Sequence, residues 1–421
     1  MFSNRNIFIG TVLMLAAFMQ VLNPVPIPTN QIFMVLGAFI VLSQSRKGGM
    51  NLHFASTLFL ATMIISILAN EIPAFFKPWS RFMQFAFLFI AASPMFSGTA
   101  VDRARRQMAM GTIWACVVIA LISFLGYFLG FGLRMSGFIQ SYRGVTGHAN
   151  FLGFYTMVAM VWFAALFFRG TNTKEYAIIA GAWVACLITL LLSASRGATA
   201  AGLLGSLIVI YMRLKDSATN MMTAVAVGIG LVIFASPYLA TYMETMTKKG
   251  IDKENMDSSV AATRGYIWEL RNMEIEKSPV VGVGAYSCDV TLPAADVFYD
   301  SKNGTIELGS SYLGLMSQEG YLGFYCFLLL TIPILWKTYR YASKQGTPYA
   351  QLFLGLIVSI ACHMAFEGYM LQAGAVQAVV WWFVIGAAYQ CDKVADYPVF
   401  WEKWDPPTPD QYAMWKEQAG K

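Results

Sequence analysis

Three arginines stand where chemistry on an anion could take place: Arg143 and Arg196 each precede a long apolar stretch, and Arg264 lies in a polar loop. A guanidinium at the boundary between lipid and water is costly unless it has partners. Its planar fork of N–H groups suits phosphate oxygens, and a pyrophosphate offers several of them. The alternative is that these arginines bind lipid headgroups or anchor helix ends. As a group, they predict a binding site for pyrophosphate.

Five further polar residues are candidates for contact with a substrate. Glu307 lies at the end of the same loop and could accept a proton, or it could be an ordinary solvated carboxylate. His148 and Asn150 lie close to the first arginine, and this clustering of polar groups favours contact with a substrate over packing. His363 and Glu367 are four residues apart, so we predict that they share one face of a helix. They could act as a base and its orienting partner, or they could bridge neighbouring helices.

The composition indicates which elements hold these residues. Of 421 residues, 57% are hydrophobic and 12% are charged, whereas a soluble domain carries about a quarter charged residues. The apolar runs approach the ~20 residues that a helix needs to cross a bilayer, and in lipid such runs must be helical. We therefore predict an all-α polytopic membrane protein with about twelve transmembrane helices. The predicted spans are residues 7–23, 29–44, 52–71, 82–98, 110–132, 151–168, 175–193, 197–212, 220–240, 312–335, 351–370 and 374–390.

One loop, residues 241–311, is large, and it contains a predicted amphipathic helix over residues 259–277. The apolar residues of that helix recur at roughly helical spacing with charges between them, so we expect it to lie as a lid at the membrane surface. Residues 1–390 form one transmembrane domain in this interpretation, and residues 391–421 form a polar tail on the cytoplasmic side. The apolar residues of the predicted helix are Ile267, Leu270, Met273 and Ile275.

The distribution of lysine and arginine predicts the orientation in the membrane. Basic residues are concentrated in the tail and in the short loops on the side of the two termini, and such loops face the cytoplasm. The large loop then faces outwards, which means the periplasm in a Gram-negative cell. This orientation places Arg143, Arg196 and Arg264 at the outer face, where arginine is otherwise depleted.

Two kinds of site are not predicted. No group of Cys, His, Asp and Glu has the spacing of metal ligands, so we expect no metal. No phosphate-cradling loop ending in Gly-Lys-Ser or Gly-Lys-Thr is present, so ATP is not the expected energy source. We expect no cofactor, and no nucleic acid among the partners.

In four segments the chain resembles the O-antigen ligase and polymerase superfamily of bacterial envelope polysaccharide synthesis. Together with the twelve spans and the late outer loop, the likeness covers roughly residues 80–370. The similar residues are Arg143-Gly144 with His148-Ala149-Asn150-Phe151-Leu152-Gly153, then Ser195-Arg196-Gly197, then Arg264, Trp268 and Ser278-Pro279-Val280-Val281-Gly282-Val283-Gly284, and last Ser310-Ser311-Tyr312-Leu313 with Glu319-Gly320 and Leu322-Gly323.

The resemblance implies a metal-independent glycosyltransferase at the outer face of the bacterial inner membrane. Its donor would be a glycan carried by undecaprenyl pyrophosphate, and direct displacement would invert the anomeric carbon. The three arginines would bind the pyrophosphate. Glu307 would be the base, with His148 and Glu367 as reserves, while Asn150 and His363 would make further contacts with the substrate.

The chain departs from the superfamily pattern at one informative place. Ligases and many relatives have a His-Asn pair just before the Ser-Tyr-Leu element, and that His is linked to activation of the acceptor. Here Gly309-Ser310 occupies those places, and no His is present in the loop. The departure favours an exopolysaccharide or O-antigen polymerase over a ligase that joins the glycan to lipid A core or protein.

A flippase or transporter for a polysaccharide precursor is a third hypothesis. It predicts inverted repeats and discontinuous helices near the bilayer centre, and the sequence shows no such symmetry. For the polymerase, the expected partners are the undecaprenyl-pyrophosphate-linked oligosaccharide and membrane lipid. A flippase and a chain-length regulator would be further partners in the same pathway.

Overall fold

The computed structural model describes residues 4–18, 29–45, 51–70, 77–130, 142–167, 173–217, 219, 222, 260–292, 299–300, 305–344 and 348–393. This part of the chain contains twelve α-helices and two short antiparallel strand pairs. The helices are α1 (Asn4–Phe18), α2 (Thr29–Ser45), α3 (Phe54–Leu68), α4 (Pro78–Ala92), α5 (Thr99–Phe128), α6 (Ala149–Phe167), α7 (Thr173–Ser193), α8 (Arg196–Leu214), α9 (Val260–Lys277), α10 (Ser311–Lys344), α11 (Pro348–Met364) and α12 (Val376–Ala388). The strand pairs are β1 (Asn51–Leu52) with β2 (Phe96–Ser97), and β3 (Tyr299–Asp300) with β4 (Thr305–Ile306).

Five helices of the described part, α5, α6, α7, α8 and α10, are long and apolar enough to cross a membrane. Shorter apolar stretches lie in α2, α3, α11 and α12. The predicted all-α polytopic membrane fold is therefore confirmed. Each predicted span overlaps a described helix except 220–240, which lies outside the described residues apart from residue 222. Of the predicted tail, only residues 391–393 are described, so the division of the chain at residue 390 stays a prediction.

Helix α6 lies among α5, α7, α8 and α11. Its sequence is apolar on every side, which is typical of a helix that packs against others all round, and its Phe154 is fully buried. Helices α8 and α11 approach each other closely because glycines face each other where they cross. A Cβ on Gly205 would lie 2.7 Å from Ser359 Cβ and 2.8 Å from the Gly355 carbonyl oxygen. Such small-residue crossings are common between helices in membranes.

Helix α10 is broken at Gly320, whose φ of 66° and ψ of −170° lie in a region open essentially to glycine alone. Residues 278–286, which we call the inserted segment, enter this break. Their backbone pairs with both halves of the helix, so the groups released by the break are satisfied within the protein, as an apolar surrounding requires. The bonds are Val283 N–H to Ser317 O (2.8 Å), Gly284 N–H to Gln318 O (3.1 Å), Tyr321 N–H to Pro279 O (2.7 Å) and Leu322 N–H to Val280 O (3.1 Å).

Helix α3 packs against the broken helix at the same level. The Ser66 hydroxyl donates to the Gln318 carbonyl oxygen (2.6 Å). It also accepts from the Ala285 N–H (3.1 Å), which links α3 to the inserted segment. The Thr62 hydroxyl donates to Glu319 Oε2 (3.0 Å), so this buried carboxyl is bonded to a neighbouring helix. A discontinuous helix is one feature expected for a transporter, but the sequence symmetry that would accompany it is missing.

Candidate functional site

The loop helix α9 buries charged residues on its inner face. A helix is present where the sequence predicts one. Met273 is 38% exposed, whereas Arg271 and Glu274 are fully buried. The apolar pattern could not reveal this face, because Glu274 is also bonded by Asp289 and Ser317, which lie outside the helix. The most buried residues of the helix are Ile267, Leu270, Arg271, Glu274 and Ile275.

The buried charges of α9 form a network with residues that follow it in sequence. Arg271 Nη1 lies 2.9 Å from Glu274 Oε2. Glu274 also accepts hydrogen bonds from the Asp289 backbone N–H (2.8 Å) and from the Ser317 hydroxyl. Burial raises the pKa of the Glu274 carboxyl, and the attraction of Arg271 and the bond from Ser317 oppose this rise. Lys277 forms an ion pair with Asp289. The network therefore ties α9 to the first half of α10.

Three of the predicted site residues meet near the start of α9. Arg264 Nη2 donates to Glu367 Oε1 at 2.5 Å, and Asn150 Nδ2 donates to the same oxygen at 3.0 Å. Arg264 Nη1 also donates to the Gly309 carbonyl oxygen (3.2 Å), which lies 3.4 Å from Trp268 Nε1. The cluster thus joins the loop helix, the first turn of α6, the segment before α10 and the loop after α11.

The prediction that His363 and Glu367 share a helix face is wrong. Helix α11 ends at Met364, and Glu367 lies in the loop that follows. His363 is fully buried, and its Nδ1 lies 3.1 Å from the Tyr369 hydroxyl oxygen. His363 is therefore fixed inside the bundle, while Glu367 faces Arg264.

The Ser311 side chain determines the shape of the loop after α11. Its hydroxyl donates to the Glu367 carbonyl oxygen (2.7 Å) and accepts from the N–H groups of Tyr369 (3.1 Å) and Met370 (3.3 Å). The neighbouring Tyr312 hydroxyl donates to a carbonyl of α11 (2.9 Å). Sequence reasoning gave Ser311 no role, although its Ser-Ser-Tyr-Leu element carries part of the family resemblance.

Helix α8 begins with Arg196 beside the same loop. A Cβ on Gly197 would lie 3.5 Å from Phe366 Cβ, and a Cβ on Gly153 would lie 2.7 Å from Ser195 Cβ. The starts of α6 and α8 are therefore close together at the end of the bundle where α11 ends. The Arg196 side chain is partly buried, and no described residue accepts a hydrogen bond from its guanidinium.

Arg143 lies on the turn that leads into α6. Gly144 has a φ of 57°, and a Cβ there would lie 2.4 Å from Ser123 Oγ, so the turn packs directly on α5. The Tyr142 hydroxyl fastens the turn further by donating to the Ser123 carbonyl oxygen (2.6 Å). Arg143 Nε is buried and has no hydrogen-bond partner among the described residues.

The two remaining candidate residues are exposed. His148 precedes α6, and its carbonyl oxygen accepts from the Phe151 N–H (3.1 Å), while its Nδ1 accepts from the Asn150 N–H (3.1 Å). Glu307 follows β4, two residues before the Gly309 carbonyl that accepts from α9. No bond to Glu307 is formed within the part of the chain that the structure describes.

The arrangement suits an anion better than a metal. Among the described residues, no group of three or more His, Cys, Asp and Glu side chains could hold a metal ion. The starts of α6 and α8 instead present the positive ends of two helix dipoles. Arg196 begins α8, Arg143 precedes α6, and Arg264 shares the Glu367 carboxylate with Asn150 of α6.

Comparisons with known proteins give one match in sequence. The model of the O-antigen ligase family matches residues 181–328. No curated protein matches the chain. Among solved structures, a chain described under "Structural coordination of polymerization and crosslinking by a peptidoglycan synthase complex" is similar over 80% of this chain and 96% of its own length, with 11% identity and a TM-score of 0.38, which is too low to establish a shared fold. The family match includes Arg196, Arg264 and Glu307, and it supports the resemblance of this multi-pass membrane protein to the O-antigen ligase/polymerase superfamily.

Proposed function

We propose that the protein is a bacterial polysaccharide polymerase that transfers a glycan from undecaprenyl pyrophosphate to a lipid-linked repeat-unit acceptor. The observation that carries the proposal is the cluster of Arg264, Glu367 and Asn150 at the end of the bundle where α6 and α8 begin close together. The family match supports the broader class to which such enzymes belong. The departure at Gly309-Ser310 favours a polymerase within that class.

The leaving group explains why arginines are needed. When the bond between the anomeric carbon and the pyrophosphate breaks, negative charge develops on the pyrophosphate. Fixed donors aimed at such a charge commonly stabilise the transition state by about 3–4 kcal/mol each. Arg143, Arg196 and Arg264 would be these donors, and the positive dipole ends at the two helix starts would add to them, as in other phosphate sites.

The acceptor hydroxyl supplies the other half of the reaction. Its oxygen bonds to the anomeric carbon, the bonding electrons of the leaving group pass to the pyrophosphate, and the hydroxyl proton passes to a base. Glu307 is the first candidate for this base because its carboxylate is exposed and close in sequence to Gly309. His148 and Glu367 are the alternatives. Direct displacement would invert the anomeric carbon, and no cofactor or metal is required.

The proposed location follows from the charge distribution. Both termini and the basic short loops would face the cytoplasm, and the site would face the periplasm from the bacterial inner membrane. The donor would have to reach that face through a flippase, and a chain-length regulator would be a further partner. The substrate itself remains anchored in the bilayer by its lipid.

The test uses a strain that lacks the chromosomal copy and carries Arg196→Ala or Arg264→Ala at normal protein level. We expect long polysaccharide to be lost and single lipid-linked repeat units to accumulate. Arg340→Ala is the control, because this exposed arginine lies near the opposite end of α10. Full-length polysaccharide in both site variants would refute the pyrophosphate site. Undiminished polymer length with Glu307→Gln would remove Glu307 as the base.

A ligase is the alternative within the same superfamily. It would join finished glycan to lipid A core or to protein. The products separate the two functions, because a strain without a ligase accumulates long lipid-linked chains, whereas a strain without a polymerase accumulates single repeat units. Extraction of the lipid-linked pool from the null strain decides between them.

A further inference from the structure

Resting on the proposed function, we infer that Glu367 is a specificity residue: its carboxylate competes with the donor for Arg264, so that a pyrophosphate displaces it and a single phosphate does not. A membrane exposes any surface arginine to a large excess of phospholipid headgroups, each with one phosphate. A site for lipid pyrophosphate therefore needs a means to reject them.

The Arg264 guanidinium is already occupied within the protein. Its Nη2 donates to Glu367 Oε1 at 2.5 Å and its Nη1 donates to the Gly309 carbonyl oxygen at 3.2 Å. The charge of Arg264 is thus largely neutralised by Glu367. An incoming anion gains the full charge of Arg264 only if it replaces this carboxylate.

The geometry permits such an exchange. The side chains of Arg264 and Glu367 are 18% and 25% exposed, so the ion pair can be reached from solvent. A partly exposed ion pair contributes little stability, since water screens it. A pyrophosphate carries more charge than a carboxylate and offers several oxygens to the planar fork, whereas a phosphodiester headgroup carries one charge.

Two hydrogen bonds would hold Glu367 nearby after it leaves Arg264. Asn150 Nδ2 donates to the Glu367 carboxylate at Oε1 (3.0 Å), and the Ser311 hydroxyl donates to the Glu367 backbone carbonyl oxygen (2.7 Å). The exchange therefore needs only a side-chain movement of Glu367 and Arg264. It leaves the loop after α11 in place.

An alternative role for Glu367 predicts the opposite result. If the carboxylate only holds Arg264 in its orientation, its neutralisation should weaken the binding of every phosphate ligand. If the Glu367 carboxylate competes with the ligand for Arg264, its neutralisation should strengthen ligand binding. The effect should be largest for a monophosphate, which displaces the carboxylate poorly. The two roles therefore differ in the sign of the change in affinity.

The experiment measures the affinity of undecaprenyl pyrophosphate and of undecaprenyl phosphate for the purified full chain in lipid nanodiscs. The wild type should prefer the pyrophosphate. Glu367→Gln, which keeps the side-chain shape and an oxygen for Asn150, should bind the monophosphate about fivefold more tightly and reduce the preference. Glu269→Gln is the matched control, because it removes the same charge from the exposed side of α9.

The outcomes separate the inference from the proposed function. Unchanged or weaker binding of the monophosphate to Glu367→Gln, with a selective wild type, overturns the inference alone. A wild type that binds neither lipid overturns the proposed function and the inference together. Thermal unfolding of each variant shows whether it is folded. If Glu367→Gln does not fold, the affinities are measured with Glu367→Ala instead.

Discussion

Replacement of Gly320 by alanine should strongly destabilise the protein. The perturbation acts at the break in α10, where the inserted segment pairs with the helix backbone. Gly320 has a φ of 66°, and a Cβ there would lie 2.2 Å from the Val280 carbonyl oxygen. That oxygen accepts a hydrogen bond from the Leu322 N–H. A shift of Val280 that relieved the clash would therefore break this hydrogen bond.

The size of the effect follows from two separate costs. A residue other than glycine in this backbone region costs about 1–3 kcal/mol. Overpacking of a close backbone contact costs a further ~1–3 kcal/mol. We therefore expect Gly320→Ala to lower the free energy of unfolding by about 2–6 kcal/mol. Because the clash lies between a Cβ and the Val280 backbone, no side-chain rotation can reduce it.

Two control variants separate the costs. Gly130 has a φ of 75° with nothing within 4 Å of its Cβ position, so Gly130→Ala should cost only the backbone part, about 1–2 kcal/mol. Gly181 lies in α7 with nothing within 4 Å, so Gly181→Ala should be neutral or stabilise by about 0.5–1 kcal/mol. The assay is thermal unfolding of purified protein in one detergent. An unfolding temperature for Gly320→Ala equal to that of Gly181→Ala would refute the interlocked break.

Three further predictions concern the loop helix and the loop after α11. Glu274→Gln leaves Arg271 buried without a charged partner and should lower stability by about 3–5 kcal/mol, measured by thermal unfolding. Ser311→Ala removes a hydroxyl that makes three hydrogen bonds to the loop after α11; we expect a loss of about 1–3 kcal/mol together with a lower polymer yield. Burial acts to raise the pKa of Asp289, but hydrogen bonds from Lys277 and a neighbouring threonine outweigh it and hold the pKa below the usual 3.8. The ionised Asp289 therefore contributes stability above pH 3.8 that is lost as the pH falls through its lowered pKa, and Asp289→Asn should remove this dependence.

Each of these has a matched control. Glu276→Gln changes the same charge on the exposed side of α9 and should leave stability unchanged. Ser343→Ala, far from the loop after α11, loses only a bond from Lys215, so equal polymer yields for it and Ser311→Ala would contradict the role of Ser311. For Asp289, identical acid unfolding curves of wild type and Asp289→Asn would show that its ion pair contributes nothing.

Composition alone was enough to predict the membrane fold and most of its helices. A run of apolar residues of the right length must be helical in lipid, whatever it packs against, so this inference needs no tertiary information. The inclusion of Arg264, Asn150 and Glu367 among the candidates also came from the sequence, because polar groups at the ends of apolar runs are costly without partners. The contact between these side chains could not be predicted from the sequence. Asn150 and Glu367 are 217 residues apart, and they bond only because α6 packs beside α11.

Local patterns failed where distant partners outweighed local propensity. Helical spacing placed His363 and Glu367 on one face, yet Ser311 takes up the backbone N–H groups of Tyr369 and Met370, and the helix ends at Met364. The same reason applies to α9 and α10. Buried charges on α9 are stable only because α10 and the chain before it supply partners, and the break in α10 is stable only because the inserted segment satisfies its backbone. Hydrophobicity along the chain therefore determined which segments enter the membrane, whereas hydrogen bonds between remote segments decided where helices break and which side chains meet.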